Sequence, residues 1–70
     1  MLHITPEERA SLQWLADGRD SSHIAWELGI SEREVEGQLA SLFARMGART
    51  TTEAIAAATT RGLLRGVTAP

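Results

Sequence analysis

Apolar residues recur along this chain at helical spacing in four short segments, and no stretch reads as a strand. The strongest stripe is Val35, Leu39, Leu42, Phe43 and Met46, at offsets of four, seven, eight and eleven from Val35. That spacing is one buried face of a helix. Ser31 before it can cap the helix, Glu34 completes a capping box, and Gly47 ends it. Upstream, Thr5-Pro6-Glu7-Glu8 predicts a helix start, with Thr5 as cap, Pro6 at the first helical position and Glu8 closing the box. Leu12, Leu15 and Ala16 then face inward, and Gly18 stops the helix after Asp17. A shorter helix follows from Asp20 or Ser21, with Ile24, Ala25 and Leu28 inward. A fourth starts at Thr50 with Glu53 as its box partner, runs through Ala54, Ile55 and Ala58, and ends at Gly62. Leu63 and Leu64 can fold back on the core. Residues 65–70 carry few apolar groups and are expected to form a mobile tail to a domain of residues 1–64.

The stretch Leu28 to Gln38, LGISEREVEGQ, poses the functional question. Leu28 ends one apolar segment, Gly29 suits the left-handed conformation that closes a helix, and Ser31 opens the next helix. Two helices joined by so short a turn fit a helix-turn-helix, a DNA-reading device. Yet the start of the second helix shows Glu32, Glu34 and Glu36 against Arg33 alone.

Composition sharpens this conflict. Seventy residues make one small domain with a marginal core. Without cysteine, neither a disulfide nor a thiolate metal site supplements that core. No apolar run approaches the roughly 20 residues of a membrane span, and nothing resembles a secretory leader, so a soluble cytoplasmic protein is expected. The net charge of −2 hides an asymmetry. Residues 1–44 hold three Arg against eight Asp or Glu; residues 45–70 hold Arg45, Arg49, Arg61 and Arg65 against Glu53 alone. A dedicated nucleic-acid binder carries a basic footprint. Here only the C-terminal third has one, and mixed charge of this kind is also what a solvated surface looks like.

The arrangement of ITPEER, LADG, IAWELGISEREV and GARTTTEA resembles the LuxR-type, or GerE-like, helix-turn-helix, from Ile4 to about Leu64. The resemblance implies an all-α, four-helix DNA-binding module of bacterial transcription regulators. It also implies that the third helix reads duplex DNA and that the fourth forms a homodimer contact. Thr5, Glu8, Leu12, Ala16, Gly18, Ile24, Ala25, Leu28, Ile30, Ser31, Glu32, Val35, Gly47, Glu53 and Ala54 stand where the family pattern has them. The DNA-facing positions depart from it. Ser21, Ser22 and His23 replace an Asn-Lys-Glu run, Glu34 replaces Thr, and Glu36 replaces Lys. Gln38 stands where His is common, Ser41 where Asn is, and Arg45 where Lys is; Thr51 occupies a position that is often basic or polar. Candidate DNA contacts are therefore Arg33, Gln38, Ser41, Arg45 and Arg49, with Arg61 and Arg65 as further cations.

Each unusual feature has a plain reading beside the functional one. Glu34 is explained as a cap that also suits the positive end of the helix dipole; Glu36 is explained only by solvation. Gly37 sits mid-helix on the outward face, either as a tolerated surface glycine or as a point of close backbone approach. Trp26 points away from Ile24, Ala25 and Leu28, so it either lies flat on its own domain or anchors a partner. Trp14 is expected to be partly in the core. The small outer face of the fourth helix, Ala56, Ala57 and Thr60, is either a good helix-former or the dimer surface. His3 and His23 are too few for a metal site, and no nucleophile arrangement or phosphate loop is legible. Neither enzymatic activity nor a cofactor is expected. Two functions remain open: sequence-specific DNA binding by a dimer, and a free-standing relative that modulates a partner regulator protein by direct contact.

Overall fold

The computed structural model describes residues 3–65. Four helices follow one another: α1 Pro6–Ala16, α2 Ser21–Leu28, α3 Glu32–Met46 and α4 Thr51–Thr60. No strand occurs among the described residues. This is the expected all-α helix-turn-helix bundle. Gly66 to Pro70, the rest of the expected tail, lie outside the described residues; Arg65 is exposed.

Side chains written into the sequence set the helix starts. Thr5 and Ser31 each accept from the third helical amide, while Glu8 and Glu34 reach back to the capping residues, so both boxes are complete. Asp20, rather than Ser21, caps α2 by accepting from the His23 amide at 3.0 Å. The box expected at α4 is only half formed. Thr50 accepts from the Glu53 amide, but the Glu53 carboxylate takes the Arg49 amide at 2.8 Å, one residue before the cap. Thr50 has an extended backbone (φ −136°), and the carboxylate satisfies the donor that this bend presents.

Two apolar clusters hold the helices together. In the first, Leu12, Leu42, Met46, Ala54 and Ala58 join α1, α3 and α4, with Ile4, Phe43, Leu63 and Leu64 packed at the edge. The second joins α2 to α3 through Ile24, Ala25 and Val35, flanked by Trp14, Leu15, Leu28, Ile30 and Leu39. Trp14 is thus half-buried, as expected, and Leu63 and Leu64 do fold back. Ala57 departs from expectation. It is half-buried against the first cluster, because its position on α4 lies beside Ala54 and Ala58 rather than opposite them. Ala56 and Thr60 remain on the exposed face. Ser11 is a buried polar residue that the apolar pattern did not reveal; its hydroxyl donates to the Glu7 carbonyl at 3.0 Å and so enters the core satisfied.

Candidate nucleic-acid interface

The turn between α2 and α3 is three residues long. Gly29 takes φ +69°, and the Ile30 amide donates to the Ala25 carbonyl at 3.1 Å, closing α2. That αL step is one only glycine makes at no steric cost. Ile30 tucks into the α2–α3 cluster, and Ser31 immediately caps α3. The short turn therefore fixes the direction in which α3 leaves the core.

With Val35, Leu42 and Met46 buried, a rotation of about 100° per residue puts Arg33, Gly37, Ala40, Ser41 and Ala44 outermost. All five are exposed. The outermost face of α3 is thus built of small side chains around one cation. Gln38 and Ser41 border a shallow depression whose other walls are Gly37, Glu34 and Glu8. That lining contains two carboxylates and no cation. A phosphate drawn to Gln38 or Ser41 would stand beside both.

Arg45 lies just beyond, exposed but already paired within the domain. One guanidinium nitrogen donates to Glu8 Oε2 across the α1–α3 junction, another donates at 3.0 Å to the His3 carbonyl, and Nε donates to Ser41 at 3.4 Å. The hydrogen bond from Arg45 holds the Glu8 carboxyl below its ordinary range, aided by Thr5 and opposed by partial desolvation. This pair joins residues 37 positions apart, and no local pattern announces it. Arg33 and Arg49 are exposed, and neither forms an ion pair among the described residues. The structure thus brings Gln38, Ser41 and Arg45 together along one flank of α3. Arg33 stands apart near the start of that helix, and Arg49 precedes α4.

The aromatic side of α2 is a separate surface. Trp26 is 78% exposed, the large apolar side chain most open to solvent among the described residues. His23 lies between it and Trp14, its ring centroid 6.3 Å from Trp26 and 5.8 Å edge-on from Trp14. Its Nε2 is 3.2 Å from Glu27 Oε2. The histidine is thus engaged in packing, and no cluster of potential metal ligands occurs among the described residues.

Residues 3–58 match the family model of the bacterial regulatory proteins, luxR family. The chain belongs to the LuxR family. It is also 39% identical over 61 residues to the transcriptional regulatory protein YdfI of Bacillus subtilis (strain 168). That alignment covers 87% of this chain and 29% of the relative, so the chain spans under a third of that protein's length. No solved structure matches it significantly. This LuxR-family domain keeps the caps, the turn glycine and the core of a helix-turn-helix. It carries Glu8 and Glu34 beside Gln38 and Ser41 on the flank of α3. No helix among its described residues is long and apolar enough to cross a membrane.

Proposed function

We propose that this domain serves transcription regulation, with DNA contact through α3 that is weak. The ion pair between Arg45 and Glu8 carries this reading. It removes the better placed of the two cations on α3 and leaves Arg33 among Glu32, Glu34 and Glu36. Nonspecific DNA affinity comes from cations that replace counterions on phosphate, so a helix with one unpaired cation supplies little of it. Arg49 is the remaining candidate on this side of the sequence, and Gln38 and Ser41 offer hydrogen bonds without charge. Fluorescence anisotropy with a labelled duplex at physiological salt tests this. The dissociation constant should be weaker than the usual nonspecific range of about 10⁻⁴–10⁻⁶ M. A submicromolar value would refute it. Replacing Glu34 by Thr and Glu36 by Lys should tighten binding, at a modest cost in stability from the weakened box at Ser31.

A second reading is favoured by the exposure of Trp26. In it, the domain acts by contacting another regulator protein, and the bulky indole is the anchor, as buried aromatics are at protein interfaces. The exposed Ala56 and Thr60 face of α4 offers a homodimer surface in either reading. Trp26→Ala separates the two, because it should abolish partner capture and leave DNA affinity unchanged.

A further inference from the structure

A groove of about 550 Å³ runs between α1 and the segment that follows α4. Its floor and walls are apolar where Pro6, Ala10, Trp14 and Leu63 meet, and Arg9 and Arg65 stand at its edges. The second wall is pinned in place. The Arg65 amide donates to Gln13 Oε1 at 2.7 Å, and the Leu63 amide donates to the Ala58 carbonyl at 2.9 Å, past Gly62 at φ +70°. A neighbouring depression of about 280 Å³ shares Arg9 and Leu63 with the groove and adds Arg61 and His3. Three of the chain's seven arginines therefore converge on one elongated cleft, in a protein of net charge −2. Among the described residues its lining holds no carboxylate. Nor does any of the three arginines form an ion pair among the described residues. Asp17, which accepts from Gln13 Nε2, does not line it.

We propose that this cleft binds an acidic segment of a partner protein, with carboxylates on Arg9, Arg61 and Arg65 and one apolar side chain against Trp14 and Leu63. The volume falls within the range of concave ligand-binding sites. The charge is complementary to an anionic chain, which is what gives such contacts their specificity and rate. A duplex is the poorer occupant. Positions 8 and 10 of α1 point about 200° apart, so the Glu8 side that meets α3 is turned away from the Ala10 side that lines the groove. A duplex lying along α3 would leave the part of the groove between Ala10, Trp14 and Arg65 uncovered, and would reach at most the His3 end of the neighbouring depression, where Arg45 bonds the His3 carbonyl. The proposal therefore stands whether or not α3 touches DNA.

The probe is a short fluorescein-labelled peptide rich in Glu with a single Leu, compared with the same peptide carrying Gln for Glu. Saturable binding of the acidic peptide at low salt is expected, weakening as salt rises. In a Trp26→Phe background, Trp14 is the only tryptophan, and its emission should change on binding. Arg9→Gln combined with Arg65→Gln should weaken binding roughly tenfold, whereas Arg33→Gln should leave it unchanged. Arg61→Gln, a single exposed change, serves as a second variant should the double one melt early by circular dichroism. Equal binding of the Gln peptide, no binding at all, or no loss in the Arg variants would overturn the proposal. A duplex that needs Arg9 and Arg65 while the peptide does not bind would overturn it in favour of nucleic acid. Tight duplex binding that depends on Arg45, with peptide binding intact, would instead sink the weak-DNA reading alone.

Discussion

Glu8→Gln is the most informative single change, because it separates two roles of one side chain. Glu8 closes the capping box at Thr5 and also neutralises Arg45. Glutamine keeps the first role, since a side-chain amide oxygen serves at that position as well as a carboxylate does. It removes the second. The Glu8 side chain is 18% exposed and that of Arg45 40%, so the pair is partly screened and contributes no more than an exposed pair, about 0.2–1 kcal/mol. For a domain of this size the melting temperature should fall by at most about 4–8 °C. The pH dependence has a definite sign. The folded-state pKa of Glu8 is lowered, first by the hydrogen bond from Arg45. Its contribution is therefore complete above the ordinary carboxyl value of 4.5 and is lost as pH falls through the lowered folded value. Glu8→Gln should therefore lower the melting temperature at neutral pH, where the contribution is complete, and remove that part of the acid sensitivity, so that variant and parent converge as pH falls through the lowered value. Meanwhile Arg45 regains an unneutralised charge on the flank of α3. One added phosphate contact steepens the dependence of log affinity on log salt by about 0.9, or roughly eightfold tighter binding at about 0.1 M salt relative to 1 M. Anisotropy titrations of a duplex across a salt series read both numbers. An unchanged slope, with the domain folded, would show that Glu8 does not keep Arg45 from DNA.

Three further changes have definite outcomes. Gly37→Ala should stabilise the domain by about 1 kcal/mol in thermal melts, because Gly37 is inside α3 without positive φ and an added Cβ meets nothing within 4 Å; a loss of stability would contradict that open position. Trp26→Ala should change stability by no more than about 0.5 kcal/mol, as expected for a side chain 78% exposed, and a larger loss would place the indole in the core. Ala56→Glu should suppress any self-association seen by sedimentation without unfolding the domain, since like charges would face each other across a symmetric contact; Ala57→Glu would instead damage the core that Ala57 touches. A strict monomer at high concentration before mutation would remove α4 as a homodimer surface.

Much of this architecture is local and so was legible without coordinates. Thr5, Ser31, Gly29 and Gly47 act within one helical turn, and a cap or an αL step needs only the residues beside it. The stripe through Val35, Leu42 and Met46 likewise announced which side of α3 is buried. The LuxR-type framework could be read for the same reason, as could the excess of acid at the start of α3 and the exposure of Trp26. Tertiary structure decided everything that depends on which residues meet across helices. It placed Glu8 against Arg45, so that a cation expected to face DNA is internally neutralised. It turned Ala57 toward the core and left Ala56 outside, a distinction that short alanine-rich sequence cannot make because each face looks equally small. It set His23 between two tryptophans and gathered Arg9, Arg61 and Arg65 into one acid-free cleft. Sequence records charge one residue at a time, but the field at a surface is the sum over neighbours brought together by packing. The helices and their ends follow from short-range chemistry. The balance of charge at each face follows only from how those helices are assembled.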